Sequence, residues 1–165
     1  MILLKTILVA TDFSEPSDAA LAYGRELART FGAQLTVLHI AENIAGRGYG
    51  GDGFILIDPE LQGDLEAAAR KQVDALISDE DRDVLKARAL VLTSNAPAAA
   101  IVDHARQASI DLIVLGTHGR GGVAHLLMGS VAERVVRTAP CPVLTVRHPE
   151  REFVLPDALV AVARA

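Results

Sequence analysis

The sequence predicts an α/β domain, a doubly wound five-stranded parallel sheet with helices on both faces. Three observations predict it. Short apolar runs, branched and without polar interruption as suits strands buried on both faces, alternate with longer segments of helical periodicity. The connections between them are short, so the β-α-β order implies right-handed parallel crossovers. The 165 residues, half of them hydrophobic, are enough for one domain with a substantial core, since domains hold roughly 100 to 200 residues.

The first strand is Thr6 to Ala10, and Thr11-Asp12-Phe13-Ser14 leaves it toward a helix with Ser14 as N-cap and Pro16 in its first turn. Ala20, Gly24, Leu27, Ala28 and Phe31 recur at helical spacing, and Gly32 stops the helix. Gly24 costs such a helix about 1 kcal/mol against Ala. Leu35 to Ile40 is the second strand. Asp58-Pro59 opens the next helix, with Leu61, Leu65, Ala68, Ala69 and Leu76 as its apolar stripe and an end near Ser78. Asp79-Glu80-Asp81-Arg82-Asp83 reads as a solvated acidic turn. It is no calcium loop, because Val84 stands where the sharp turn needs Gly and Leu90 where a bidentate Glu belongs. Ala87 to Leu92 is the third strand. Thr93-Ser94-Asn95 lead into a helix with Pro97 near its start and Ala98, Ile101, Val102 and Ala105 on one face. Leu112 to Leu115 is the fourth strand. Val131, Val135 and Val136 pattern the helix beginning at Ser130, Thr138 to Pro142 is a rigid connector, and Val143 to Val146 is the fifth strand.

Two segments fall outside this alternation. Asn43 to Asp58 carries five glycines without helical periodicity and is expected to be a loop excursion. Its Gly46-Arg47-Gly48-Tyr49-Gly50-Gly51 matches the dinucleotide spacing Gly-x-Gly-x-x-Gly, but that pattern needs a helix directly after it and Phe54 to Ile57 follows instead. From His148 to Ala165 there is no sheet role; Leu155, Leu159, Val160 and Val162 suit a short apolar helix packing on the domain or on a second subunit. The expected division is therefore a domain over residues 1–147 and a tail over 148–165.

The stretch with most chemistry is Gly116 to Ser130. Chain that leaves a buried strand through glycines and enters a helix is a natural anion site, because unpaired N–H groups and the positive dipole end converge there. Gly116 and Gly119 are expected to allow positive φ and close backbone approach to a phosphate, and Gly129-Ser130 to open the helix. In a doubly wound sheet ligands bind outside the carboxyl ends of the strands, at the point where strand order reverses. If the first and fourth strands adjoin there, Thr11-Asp12 and Gly116 line one crevice.

Composition narrows the partners. A net charge of −5, no Trp, two Tyr and four Phe provide neither a basic surface nor an aromatic platform for nucleic acid. No apolar run approaches the roughly 18 residues of a membrane span. One Cys excludes an internal disulfide and suits a reducing compartment. The expectation is a cytoplasmic protein that binds neither nucleic acid nor membrane. His118 and His125 come without partner ligands at transition-metal spacing. His104 and His148 read as surface residues, and Cys141, between two prolines, as a packed thiol.

Gly116, two residues, Gly119, nine residues, then Gly129-Ser130 resembles the ATP-binding signature of the universal stress protein family. The opening Ile7 to Ser14 and the closing Ala139 to Val146 are similar to that family as well, and three separated matches in order are far more specific than one glycine spacing. The resemblance covers roughly residues 4 to 147. It implies strand order 3-2-1-4-5, homodimers joined through the last strand, Val143 to Val146, and a regulatory role under stress. Position by position it implies Ala10 and Thr11 as backbone contacts, Asp12 near the adenine or ribose, and His39-Ile40-Ala41 bordering the base. Gly116, His118, Gly119 and Arg120 would surround ribose and phosphates, with Gly129, Ser130 and Val131 on phosphate. One departure stands out: Asn95-Ala96-Pro97 replaces the common Gly-x-Pro, and Asn is expected to keep that turn by tolerating left-handed φ.

The function so implied is an ATP-binding regulatory protein, ATP carried with Mg2+, whose loop or dimer surface changes with nucleotide state for a protein client the sequence does not name. A slow ATP-hydrolysing enzyme is the alternative. Against dedicated hydrolysis, the loop lacks the Gly-Lys-Ser/Thr of P-loop enzymes, no carboxylate lies between Gly116 and Ser130, and Asp12 is the one carboxylate placed for a metal. A dimeric scaffold that does not bind ATP is the third reading. Asp12 also has a simpler role as a turn cap, Ser130 as an N-cap, and Arg120 as a surface charge.

Overall fold

The structure is a computed structural model, and it describes residues 1–44, 59–117 and 128–147. Five parallel strands, β1 (Thr6–Thr11), β2 (Gln34–Ala41), β3 (Arg88–Thr93), β4 (Leu112–Gly116) and β5 (Val143–Val146), lie in the order β3-β2-β1-β4-β5. Between them run α1 (Glu15–Phe31), α2 (Pro59–Leu76), α3 (Asp79–Val84), α4 (Pro97–Gln107) and α5 (Ser130–Thr138). The chain builds outward from β1 to β3, then crosses back to β4 and β5. The order therefore reverses between β1 and β4, which pair Ala10 with Leu115 at their carboxyl ends.

Side chains alternate across the sheet because successive strand residues point to opposite faces. Ile7, Val9, Leu35, Val37, Leu112 and Val114 meet Ala20, Leu21 and Ala28 of α1, Ala69 and Val73 of α2, and Ile77 just after it on one face. Leu8, Leu38, Ile113 and Leu115 meet Ala98, Ile101, Val102 and Ala105 of α4 and Ala132 and Val135 of α5 on the other. Both faces are dry, which is why these strands read as continuous apolar runs. Each such Val, Leu or Ile contributes about 1.5–3 kcal/mol by its burial.

Gly24 follows from this packing. A Cβ at that position would lie 2.3 Å from Val9 Cγ2, so the glycine that weakens the isolated helix allows α1 to sit close on β1. Gly32 closes the same helix in the left-handed conformation, φ 64°, a region glycine enters without steric cost.

Several sequence expectations need correction. The apolar stripe of α2 does not run through Leu61, Leu65 and Ala68, which are exposed; the sheet-facing line is Gln62, Glu66, Ala69, Val73 and Ile77, polar in its first half. Phe31, the last residue of α1, and Val136 also face solvent. His104 is half-buried, and burial lowers its pKa. Residues 79–83 form α3 rather than a solvated turn. Ser78 caps this helix, accepting from the Asp81 N–H at 3.1 Å. Asp81 is 2% exposed and paired with Arg25 Nε at 2.9 Å, and the same guanidinium donates to the Leu76 carbonyl. Burial pushes the Asp81 carboxyl up, but the Ser78 N–H and the Arg25 charge outweigh it and hold the group below its ordinary pKa. Of the predicted excursion over Asn43 to Asp58, all but residues 43 and 44 lies outside the described residues, as does the tail from His148.

Candidate functional site at the carboxyl ends of β1 and β4

Chain leaving β1 is held by its own short polar side chains. Asp12 Oδ1 accepts from the Ser14 N–H at 3.2 Å and from the Ser14 hydroxyl at 2.5 Å. Thr11 Oγ1 accepts from the Phe13 N–H at 3.0 Å and lies 3.1 Å from Ser17 Oγ. Ser17 Oγ in turn accepts from the Ser14 N–H at 3.0 Å and donates to the Ser14 carbonyl at 2.8 Å. Ser14 is the N-cap of α1, as the sequence predicts. Asp12 thus does fill the turn-capping role, and it presents its carboxylate at the strand end while doing so.

Phe13 occupies φ 63°, an outlier for a bulky side chain that costs about 1–3 kcal/mol and persists only where its surroundings over-determine it. Here they do. The Thr11 hydroxyl fixes its N–H, and its ring packs 4.5 Å from that of His39. His39 sits opposite Thr11 in the β1–β2 register, and its Nδ1 donates to the Thr11 carbonyl at 2.9 Å. This aromatic brace is not legible in the sequence, since nothing about Asp-Phe-Ser marks the middle residue for left-handed backbone.

Gly116 plays a different part from the one expected. Among the glycines described, positive φ belongs to Gly32, not to Gly116. A Cβ at Gly116 would lie 2.9 Å from the backbone of Pro16, so the glycine admits the first turn of α1 against the end of β4. The start of α5 arrives at the same place. Gly129, its N-cap at φ −70° and ψ 153°, donates to the Thr117 carbonyl at 2.6 Å, and Thr117 itself donates to Val146 at 2.8 Å. The N-termini of α1 and α5 therefore converge on the exit of β4, and no side chain caps α5. The Gly129 N–H is taken by Thr117. The first-turn amides of Ser130, Val131 and Ala132 stand at this same helix start, where an α-helix supplies no intrahelical partner for them. Ser130, exposed, is the first residue of α5 and not its cap.

Of the predicted site residues, the structure thus gathers Ala10, Thr11, Asp12, Gly116, Gly129, Ser130 and Val131 around the strand-order reversal, with Ile40 one residue beyond His39 on the neighbouring strand. His118, Gly119 and Arg120 lie outside the described residues. Asn95 departs from expectation: positive φ among the described non-glycine residues is confined to Phe13, Lys86 and Ser109. Asn95 instead accepts the Asn43 N–H on its Oδ1 at 3.0 Å. Cys141 is half-buried and packs against the α4–α5 layer, and burial raises its pKa. Among the described residues no group of three or more His, Cys, Asp or Glu could hold a metal, and no helix is long and apolar enough to cross a membrane.

Comparison with known proteins agrees with this architecture. The family model described as "Universal stress protein family" matches residues 4–147. A universal stress protein of Thermus aquaticus is 37% identical over 149 residues, covering 88% of this chain and all of the relative. The solved structure of a universal stress protein from Lactobacillus plantarum superposes with a TM-score of 0.70 at 26% identity, over 89% of this chain and all of that one. Two others share the fold at 22% identity. One, solved in complex with cAMP, has a TM-score of 0.57 over 88% of this chain and 98% of its own; the other, from Archaeoglobus fulgidus in complex with dAMP, has 0.56 over 88% and 99%. With a family match spanning both the strand-order reversal and the β5 edge, the chain belongs to the universal stress protein family.

Proposed function

We propose that this protein is a cytoplasmic regulator that binds an adenine nucleotide, ATP carried with Mg2+, at the carboxyl ends of β1 and β4. The observation that carries the reading is the convergence of two helix N-termini on the β4 exit, where Gly116 has no room for a side chain and α5 has no side-chain cap. Converging positive dipole ends and first-turn N–H groups favour a polyanion. The residues fit such a ligand. The Ser130 and Val131 amides and the Ser130 hydroxyl bind phosphate, and Asp12, at the end of β1, takes ribose or a phosphate-borne Mg2+. Ile40 and Ala41 border the base. Family members solved with cAMP and with dAMP support an adenine ligand.

Binding, rather than turnover, is the proposed chemistry, because the stretch from Gly116 to Ser130 lacks the Gly-Lys-Ser/Thr of P-loop enzymes and contributes no carboxylate. The nucleotide signals by altering a surface read by a protein client. The edge of β5, which pairs with β4 on one side, supplies the homodimer contact through Val143 to Val146. Denaturing the purified protein and chromatographing the released material is expected to yield an adenine nucleotide, and calorimetry to show ATP binding. Absence of both would remove this function.

A further inference from the structure

We propose that His39 is a positioning residue for the nucleotide: through Phe13 it holds the turn that carries Asp12 and opens α1, an inference that rests on the adenine-nucleotide reading above. Residues 35, 37, 39 and 41 of β2 point to one face of the sheet, and Leu35, Val37 and Ala41 are buried there in the core that α1 and α2 cover. His39 is the polar exception on that line, and it is half-buried. Its register partner, Thr11, is the last residue that β1 pairs with β2. A carbonyl only accepts, so the 2.9 Å contact with the Thr11 carbonyl places the His39 proton on Nδ1 and fixes the plane of the ring.

The ring so fixed lies 4.5 Å from that of Phe13, tilted by 38°, and Phe13 packs on the same core. This contact acts on backbone conformation as well as on packing. Phe13 sits at φ 63°, where a bulky residue stays only if its surroundings hold it. One hold is local: the Phe13 N–H donates to Thr11 Oγ1 at 3.0 Å, which anchors the amide but not the direction of the side chain. The other is His39, which comes from the neighbouring strand and keeps the ring against the core. With Phe13 in this conformation the chain folds back, so that Asp12 Oδ1 reaches the Ser14 N–H two residues on at 3.2 Å, and Ser14 stands as the N-cap of α1. Asp12 is the carboxylate proposed for ribose or Mg2+, and the first turn of α1 is the one that Gly116 admits against β4. Release of the Phe13 ring lets the turn relax toward negative φ and carries both away from the ligand.

The test is a double-mutant cycle. His39→Asn removes the ring while keeping a donor at the reach of Nδ1, and His39→Phe keeps a ring. Phe13→Gly allows positive φ with no brace, because glycine enters that region without steric cost. Calorimetry reads ATP affinity, and urea unfolding supplies the folded fraction to which each affinity refers. The intraresidue HN–Hα cross-peak of Phe13 in NMR, strong at positive φ, reads the turn. With Phe13 in place, His39→Asn is expected to weaken that cross-peak and to lower ATP affinity about three- to tenfold, the range an aromatic pair supplies. His39→Phe keeps the cross-peak and stays within about twofold of parental affinity, and in the Phe13→Gly background His39→Asn also changes affinity by less than about twofold. An equal loss in both backgrounds, a loss in His39→Phe as large as in His39→Asn, or a His39→Asn variant with parental cross-peak and affinity overturns the positioning role and leaves the nucleotide reading standing. A parent protein that shows the strong Phe13 cross-peak yet binds no adenine nucleotide overturns both.

Discussion

At the amino-terminal edge of the sheet, carboxylates join separate elements, whereas at the carboxyl-terminal edge short polar side chains shape a single turn and two helix starts converge. Asp111 Oδ2 accepts the Lys5 N–H at 2.7 Å, the Thr6 N–H at 3.0 Å and the Thr6 hydroxyl at 3.2 Å, joining the starts of β1 and β4. On the same side Asp81 and Arg25 join α1 to α3. Across the sheet, Thr11, Asp12 and Ser14 shape a turn around a strained Phe13, and α5 begins uncapped. One edge is closed by carboxylate contacts, and the other is where the nucleotide site is proposed. Substitutions at the two edges should therefore separate folding from binding.

The largest effect is expected from Asp81→Ala. Removing one partner of a buried pair strands the other, and the cost is about 3 kcal/mol or more. Urea unfolding should show that loss, while the folded fraction binds ATP with parental affinity. Gly116→Ala comes next. Its Cβ has no room against Pro16, and overpacking of this kind costs about 1–3 kcal/mol. Because it displaces the first turn of α1, this variant should lose ATP affinity as well as denaturant resistance, breaking the separation at the one point where packing and site coincide.

Gly129→Val sharpens the comparison from the other side. Its backbone, φ −70° and ψ 153°, is open to any residue, so the stability cost is that of a poorer N-cap, below about 1 kcal/mol. The branched side chain obstructs the phosphate position, and ATP affinity should fall about tenfold or more, equivalent to about 1.4 kcal/mol. Asp111→Asn is expected to be smallest and visible chiefly in acid. Hydrogen bonds from the Lys5 and Thr6 amides and the Thr6 hydroxyl hold the Asp111 carboxyl below its ordinary pKa. A carboxyl depressed in the folded state stabilises above its unfolded pKa of about 3.9 and loses that contribution as pH falls through the lower folded value. The parent should thus lose stability below about pH 4 more steeply than Asp111→Asn, as followed by circular dichroism, with ATP binding at neutral pH unaltered.

What the sequence made legible follows from which forces are local. Ile7 to Ala10 and Leu112 to Leu115 announce themselves because two-sided burial demands contiguous apolar residues. The strand order came from family resemblance, and the register confirms it. The stripe of α2 differs from its periodicity because Gln62 and Glu66 occupy the sheet-facing line, displacing the apparent apolar face onto Leu61 and Leu65. The acidic run at 79–83 looked solvated because its partner, Arg25, stands 56 residues before Asp81. Gly116 and Asn95 suggest conformational freedom and Gly24 a cost to its helix, yet Gly24 and Gly116 answer to close packing and Asn95 to a side-chain hydrogen bond. Each of these depends on a neighbour distant in sequence, which no window of residues contains.

The most direct test of the central claim is a map of backbone amide chemical shifts during titration with Mg-ATP. Saturable shifts are expected at Thr11, Asp12, Ile40, Gly116, Ser130 and Val131, with Lys5, Thr6 and Asp111 unmoved. Shifts centred on the Asp111 edge, or no saturable shift at all, would contradict it.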